Sequence, residues 1–254
     1  MESTDSTSSS GKIQSNTLQE EKSHSSISFL GDNNEYVVIN GAMIRRHVLT
    51  WPQAKHEYGN SAAIGLASFG LSTFVLGFYL AEIGGVEVPN IVVSLAFSYA
   101  GIVEACAGVW ELINGDTFTS TVFISFGTFW ISFASINIPT FGIMDAYADE
   151  PEQLGNAIGF FLLGWGIFSC MMTLLVMKTT WSLLTLFVTL DCTFFLVGAF
   201  YCTGNHGCKI SGGITAIISG ICGWYACYCS ICDKKNTYFI APSLAIPVFT
   251  NQSN

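Results

Sequence analysis

Charged residues are scarce in this sequence, and basic ones are almost missing from its middle. Charged side chains make up 11% of the 254 residues, whereas ordinary soluble domains carry about 25%. Between residues 57 and 232 the only basic side chains are Lys178 and Lys209. A protein that binds nucleic acid needs a basic surface to neutralise phosphates, so this shortage excludes a nucleic-acid partner.

Groups that carry enzyme chemistry are also sparse. The four histidines are His24, His47 and His56 in the N-terminal stretch and His206 in a loop between apolar runs. The sequence contains no nucleophile beside a base, no glycine-rich phosphate loop and no set of metal ligands with regular spacing. It therefore predicts a protein that is not an enzyme and that uses no metal or cofactor.

The cysteines do not change this interpretation. Cys227, Cys229 and Cys232 cluster near the end of the last apolar run, but no histidine lies nearby to complete a zinc site. Packing or lipidation at the membrane is favoured for them instead. Cys202 and Cys208 flank the loop TGNHG. In an oxidising compartment these two could form a disulfide, and free thiols are the alternative.

Long apolar runs occupy the part of the sequence in which charged residues are few. A helix that crosses a hydrocarbon core about 30 Å thick needs roughly 20 mostly apolar residues. The sequence does not alternate polar and apolar residues within these runs, as barrel strands would. It therefore predicts an all-α integral membrane protein with six transmembrane helices, at residues 60–80, 88–110, 117–144, 153–177, 179–202 and 210–232.

The flanking charges predict the orientation and the domain organisation. If the N-terminus is cytoplasmic, six Lys and Arg residues flank the helices on the cytoplasmic side and Lys209 alone lies outside, which favours cytoplasmic termini. The first 35 residues are rich in Ser and Thr and are expected to be disordered. We thus predict a tail and pre-membrane segment at 1–56, a six-helix domain at 57–232 and a short cytoplasmic tail at 233–254.

Two glutamates interrupt the second apolar run. Glu104 and Glu111 are seven positions apart, which places them on one face of a helix. Glu111 is close to the helix end and could simply reach the membrane interface. Glu104 is deeper, where a charge costs on the order of 3 kcal/mol. Protonating a glutamate at pH 7 costs about 3.7 kcal/mol. These costs are similar, so Glu104 is a candidate proton site, with hydrogen bonds from nearby hydroxyls as the alternative.

Asp191 raises the same question in the fifth apolar run. Thr185, Thr189 and Thr193 are close in sequence and could donate hydrogen bonds to it. No basic residue lies at a comparable depth, so an ion pair cannot neutralise either acid. We therefore predict Asp191 as a second candidate proton site.

Three segments resemble the acetate uptake transporters, also called succinate–acetate permeases. NSAAIGLASFG (60–70) is similar to the signature NPAPLGL-x-x-F of that family. AGIVEACAGVWELINGDTFTSTVFISFGTFWISFA (100–134) resembles GG-x-x-Q-x-x-AG-x-x-E, followed by GNTF and YG-x-FW-x-S. GWYACYCSICDKKNTYF (223–239) is similar to the AWY motif and DK-x-N tail of fungal members. The motifs occur in the family's order and at its spacings.

The resemblance implies a hexamer of six-helix subunits in the plasma membrane that takes up acetate and related short monocarboxylates with a proton. It implies a hydrophobic gate formed by Phe69, by Phe126 where the family has a tyrosine, and by Leu190 or Leu186. Asn60 matches the first-helix asparagine, which would help to hold the substrate. Glu111 matches the acidic end of the second motif.

The departures from the family pattern concern the substrate more than the fold. Ser61 and Ala63 replace the two prolines of the signature, and Phe126 lacks the tyrosine hydroxyl. Glu104 stands where the family has a glutamine. An ionised glutamate would repel a carboxylate substrate, whereas a protonated one could donate a hydrogen bond to it. Asp191 lies in a region that is mostly apolar in relatives.

Three functional interpretations follow. The first is a proton-coupled or protonation-gated carrier of acetate-type carboxylates, with the lipid bilayer, small carboxylates and protons as its partners. The second is an exporter of ammonia or ammonium, since Glu104 and Asp191 would suit a cation. The third is a membrane sensor that transports nothing and signals through its Ser-rich tail. Substrate flux separates the third from the others, and the charge and direction of the moved species separate the first two.

Overall fold

The computed structural model describes residues 27–30, 36–39, 42–45, 59–86 and 88–247. By its internal contacts the chain divides into two compact units, residues 1–57 and 58–254.

The first unit contains a small antiparallel sheet in the order β1-β2-β3, formed by Ile27–Leu30, Tyr36–Ile39 and Ala42–Arg45. Ile27 pairs with Ile39, and Ile39 pairs with Ala42. Strand β1 falls within the stretch that was expected to be disordered, because the apolar residues that begin near Phe29 can pair in a hairpin. The remainder of that stretch, at 1–26 and 31–35, lies outside the described residues.

The second unit is helical, and six of its helices are long and apolar enough to cross a membrane. This confirms the predicted fold class. The helices form because backbone groups in hydrocarbon must be paired within their own segment. In chain order they are α1 (Ser61–Leu80), α2 (Asn90–Asn114), α3 (Thr117–Asn137), α4 (Pro151–Val176), α5 (Trp181–Thr203) and α6 (His206–Ile231).

Local sequence signals explain where the observed helix bounds differ from the predicted ones. Helix α3 ends at Asn137 rather than at residue 144, because the residue before Pro139 is driven into extended backbone. Helix α4 begins earlier than predicted, with Pro151 in its first turn. Helix α6 also begins earlier, because the Asn205 side chain accepts a hydrogen bond from the Gly207 N–H and caps it.

The helices pack side by side in the order α4, α5, α6, α1, α2, α3. Glycines bring several of these neighbours into backbone contact. A Cβ atom added at Gly213 of α6 would lie 2.8 Å from the carbonyl oxygen of Gly77 in α1, and one added at Gly220 would lie 2.8 Å from the carbonyl oxygen of Gly70. Small residues permit this approach where no hydrophobic force separates helices from lipid.

Aromatic rings join the two ends of this series. Phe126 and Phe129 of α3 contact rings of α4, with centroid distances of 5.8 Å from Phe126 to Phe168 and 5.8 Å from Phe129 to Phe161. Both also contact Phe194 of α5. Large side chains thus fill the centre of the bundle, whereas glycines line the tight contact between α1 and α6.

The C-terminal segment crosses from the end of α6 to the start of α5. The Trp181 N–H donates to the Leu244 carbonyl at 2.9 Å, and the Ile246 N–H donates to the Thr179 carbonyl at 3.0 Å. Tyr225 of α6 donates its hydroxyl to the Pro242 carbonyl at 2.7 Å. We call residues 239–246 the C-terminal strap. It pairs the N–H of the first residue of α5, which the helix itself leaves unsatisfied.

At the opposite end of the bundle, charged side chains join α1 to α6. Glu82, just after α1, accepts from Lys209 at 2.6 Å and lies 3.1 Å from His206. The hydrogen bond from Lys209 holds the pKa of the Glu82 carboxyl below its ordinary value, and the positive charges of Lys209 and His206 act in the same direction. This contact depends on an ionised Glu82.

We expect Gly213→Ala to destabilise the bundle by about 1–3 kcal/mol, because its methyl group would collide with the α1 backbone. The matched control is Gly164→Ala in α4, where an added Cβ meets nothing within 4 Å. Thermal unfolding of both variants in detergent tests this. Equal unfolding temperatures for the two variants would contradict the close approach.

We expect Glu82→Gln to lower the unfolding temperature slightly at neutral pH, since an ion pair at the solvent-accessible end of the bundle contributes little. The folded pKa of Glu82 is lowered, so its stabilisation is present above the unfolded pKa and is lost as the pH falls through the folded one. The difference between wild type and Glu82→Gln should therefore shrink on acidification. A difference that grows in acid would be incompatible with this contact.

Candidate functional site

A cavity of about 120 Å³ lies among α1, α2, α3 and α5. Four of the predicted pathway residues line it, one from each helix: Phe69, Glu104, Phe126 and Leu190. Leu186, the alternative gate residue, lines it as well. The cavity exceeds the roughly 30 Å³ that one water molecule occupies in the liquid. It therefore has room for a molecule of a few heavy atoms.

Leu190 also lines a second cavity of about 60 Å³. Phe129 and Trp130 of α3 and Thr73 of α1 also line this cavity. The Thr73 hydroxyl is buried without a hydrogen-bond partner. Leu190 thus stands between two small apolar spaces in the centre of the bundle.

Phe126 is held in place by aromatic rings from two other helices. Its ring centroid lies 6.2 Å from Trp165 and 5.8 Å from Phe168 of α4. It lies 6.2 Å from Phe187 and 6.3 Å from Phe194 of α5. Aromatic packing of this kind adds to the burial of each ring. These four neighbours could not be predicted from the sequence, because helical periodicity does not specify which helix faces meet.

Glu104 is the only ionisable side chain among the described residues that line the larger cavity. It is 1% exposed, and its Oε2 atom has no hydrogen-bond partner. The sequence left open that nearby hydroxyls satisfy Glu104, and no hydroxyl reaches this oxygen. Thr119, which lines the same cavity, donates its hydroxyl to Asp116 instead. An ionised carboxylate here would have no hydrogen-bond donor at this oxygen to replace the water it has lost, and burying such a charge costs free energy.

A π-helical turn precedes Glu104 directly. Helix α2 consists of α-helical segments at Asn90–Phe97 and Glu104–Asn114 joined by the π turn Ser98–Val103. Such π turns are rare in proteins, and those that occur are often found at functional sites. Within the turn, a Cβ atom added at Gly101 would lie 2.6 Å from the Ile131 side chain of α3. The turn and the contact at Gly101 together fix the direction in which Glu104 projects.

Glu111 has a structural partner rather than a place in the cavity. It is buried, although its position near the helix end had suggested that it could reach the membrane interface. Its Oε1 atom accepts the Ser61 hydroxyl at 2.5 Å and the Ala62 N–H at 2.9 Å. A carboxylate suits a helix N-terminus, where backbone N–H groups are unpaired. Glu111 of α2 therefore caps α1.

Asn60 does not line either cavity. It precedes α1 and makes no cap hydrogen bond with its side chain. Its Nδ2 atom donates to the Ser230 carbonyl of α6 at 3.4 Å. Asn60 is thus separate from the four residues that line the larger cavity. If Asn60 contacts the substrate as predicted, it does so at another point along the transport path.

Asp191 is held by a neighbouring helix, contrary to the local partners considered from sequence. Its Oδ2 atom lies 2.7 Å from the hydroxyl oxygen of Thr173 in α4, within hydrogen-bond distance. Thr189 donates to backbone carbonyls of its own helix. Thr193 donates to the Thr189 carbonyl and contacts Thr215 of α6 at 2.8 Å. Asp191 lines neither of the two cavities.

The disulfide considered between Cys202 and Cys208 is not formed in the structure. Both residues are described, and both have free thiols. Cys202 lies in the last turn of α5 and Cys208 in the first turn of α6.

We expect Glu111→Leu to destabilise the protein by about 1–3 kcal/mol, because it leaves the buried Ser61 hydroxyl and the Ala62 N–H without their acceptor. Glu111→Gln keeps one acceptor oxygen and should lose less. Asn114→Ala is the control, since its contact with Glu111 is long, at 3.5 Å. Thermal unfolding of the three variants tests the order. A Glu111→Leu variant as stable as Asn114→Ala would refute the capping role.

Comparison with known proteins gives a consistent result. The family model described as GPR1/FUN34/yaaH family matches residues 45–248. Ammonia transport outward protein 2 of Saccharomyces cerevisiae is 39% identical over 228 residues, covering 85% of this chain and 81% of that protein. Acetate permease A of Emericella nidulans is 34% identical over 201 residues, covering 75% of this chain and 67% of that protein.

A solved structure has the same fold. The bacterial acetate channel SatP matches with a TM-score of 0.62 and 27% sequence identity. The match covers 69% of this chain and 93% of the channel.

Proposed function

This chain belongs to the GPR1/FUN34/yaaH family, the family of acetate transporters, and we propose that it carries acetate and related short monocarboxylates across a membrane. The observation that carries this proposal is the larger cavity, in which Phe69, Glu104, Phe126 and Leu190 meet from four helices. Relatives named as an acetate permease and an acetate channel support it. Those names also support a transport role rather than an enzymatic one.

The lining of the cavity favours a neutral species or one neutralised by a proton. Its walls are aliphatic and aromatic apart from Glu104 and Thr119. An acetate ion beside an ionised Glu104 would be repelled in a medium of low dielectric constant. A protonated Glu104 can instead donate a hydrogen bond to the substrate carboxyl. We therefore propose that Glu104 binds the proton that accompanies or permits transport.

The gate in this proposal lies at Leu190. Leu190 separates the two cavities, and Phe69 and Phe126 stand with it in the larger one. A substrate that passes from one cavity to the other must displace the Leu190 side chain or wait for it to change rotamer. Phe126 offers no hydroxyl here, so the gate selects by size and polarity rather than by hydrogen bonding.

Orientation, location and assembly are part of the proposal. Lys178, Lys234 and Lys235 are exposed at the end of the bundle where α1 begins, and Lys209 lies at the other end. This distribution supports cytoplasmic termini. Helix α4 exposes large apolar side chains, among them Phe160 and Leu174 at 68% each. Lipid or further copies of the chain would cover this face. The plasma membrane and the hexamer are proposed from the family resemblance.

Ammonia or ammonium export is the second candidate. A relative named for outward ammonia transport is 39% identical to this chain. Neutral ammonia could enter the apolar cavity, where an oxygen of its one carboxyl group would accept a hydrogen bond from an ammonia N–H. When an imposed gradient drives both solutes inward as neutral molecules, acetic acid releases a proton inside the vesicle and ammonia takes one up. With the direction fixed in this way, the sign of the internal pH change distinguishes the two cargoes.

We expect proteoliposomes that contain the wild type to take up labelled acetate, faster at pH 5 than at pH 8. Glu104→Gln should flatten this dependence, because glutamine is a neutral group that can donate a hydrogen bond at every pH. Glu152→Gln, which alters an exposed glutamate in the first turn of α4, is the matched control and should keep the wild-type profile.

Three outcomes would contradict the proposal in whole or in part. If soundly reconstituted protein moves no acetate but dissipates an ammonium gradient, ammonia export replaces acetate uptake. If Glu104→Gln and Glu152→Gln both keep the wild-type pH profile, transport of acetate stands but Glu104 is not the proton site. A protein that moves neither solute would favour the sensor interpretation.

A further inference from the structure

Asp191 forms a partly buried polar contact between α4 and α5 that the transport path does not use. Its Oδ2 atom lies 2.7 Å from the Thr173 hydroxyl oxygen. Its Oδ1 atom is buried without any hydrogen-bond partner. The preceding residue, Leu190, lines both cavities, whereas Asp191 lines neither. The carboxyl group therefore lies on the α4 side of α5, next to the proposed gate in sequence.

The hydrogen atoms available to this contact can be counted. The Thr173 hydroxyl oxygen is also 3.0 Å from the Ser169 carbonyl oxygen, one turn earlier in α4. A hydroxyl has one hydrogen to donate and two lone pairs that accept. A carbonyl and an ionised carboxylate only accept. If Asp191 were ionised, one hydrogen would have to serve two acceptors. If Oδ2 carries a proton, Asp191 donates to Thr173 and Thr173 donates to Ser169.

The surroundings offer no positive charge that would hold an ionised Asp191. Within the part of the chain that the structure describes, both salt bridges involve Glu82. From α4 the titratable neighbour is Cys170, and on α5 it is Cys192. Helix α6, which packs on α5, has its one charged residue, Lys209, in the first turn, paired with Glu82. Thiols carry no positive charge, so neither cysteine can form an ion pair with a carboxylate.

We propose that Asp191 is a proton-binding site outside the transport path, and that its proton fastens α5 to α4 through Thr173. The bound proton completes the series Asp191 O–H to Thr173 O–H to Ser169 carbonyl. Loss of the proton places an unpaired charge between two helices, and water or a shift of α5 would have to compensate it. Because Leu190 is the next residue, such a shift reaches the gate; this consequence rests on the proposed function.

Infrared spectroscopy of the protein in bilayers tests the proton directly. A protonated carboxyl group has a C=O stretch that a carboxylate lacks, and exposed acids are ionised at pH 7. We would compare Glu104→Gln with Glu104→Gln/Asp191→Asn, so that Glu104 cannot contribute. The expected result is a carboxylic acid band at pH 7 that is lost with Asp191→Asn and that disappears from the parent as the pH is raised.

The hydrogen-bonded partner is tested in the same background. Thr173→Val removes the hydroxyl and should shift the Asp191 band to the frequency of a free carboxylic acid. Thr173→Ser keeps the hydroxyl and should restore the parent band. An unchanged band in Thr173→Val would show that the proton does not point towards Thr173 and would overturn the fastening of α5 to α4.

Failure of this proposal can be told apart from failure of the transport proposal. If Asp191→Asn removes no carboxylic acid band at pH 7, Asp191 is ionised and the proton site is wrong, whatever the protein transports. If the band is lost as expected, the proton site stands even where acetate flux is absent. Asparagine has the size of aspartate and can donate to Thr173, so this variant preserves the contact between the helices.

Discussion

The close approach of helix backbones at glycines is the constraint on which the rest of this structure depends. In hydrocarbon, helices gain little from burying apolar surface against each other, and contact between small residues replaces that force. The contacts of Gly77 with Gly213 and of Gly70 with Gly220 draw α1 and α6 together. Large rings then fill the centre around Phe126. The remaining space at this aromatic centre forms the two cavities that meet at Leu190.

Three acids within the spans of this bundle have different environments, and their roles follow from these environments. Glu111 accepts two hydrogen bonds at the start of α1 and stabilises a helix terminus. Glu104 faces a cavity with an oxygen that has no donor. Asp191 meets a hydroxyl between two helices. The residue type is nearly constant, so the number and direction of the donors around each carboxyl group decide whether it caps a helix, meets a substrate or links two helices.

Much of the fold could be predicted from the sequence, because a chain in hydrocarbon has few ways to pair its backbone. The six spans followed from length and hydropathy, and errors occurred at their ends, where Pro139 and Asn205 act locally. Of the site, Phe69, Phe126 and Leu190 were identified through family resemblance and Glu104 through its isolated charge. The separation of Asn60 from the cavity and the partner Thr173 of Asp191 could not be predicted. Both depend on helix rotation and relative depth, which periodicity within one helix does not specify.

The C-terminal strap has a consequence for how the molecule is completed during synthesis. The first N–H of α5 donates a hydrogen bond to the Leu244 carbonyl, and the Thr179 carbonyl accepts one from the Ile246 N–H. These partners leave the ribosome after all six spans have been made. Helix α5, which carries Leu190, therefore acquires these backbone hydrogen bonds only after all six spans have been made. A nascent or truncated chain that ends before the strap would hold six helices in the bilayer with the start of the gate helix still incomplete.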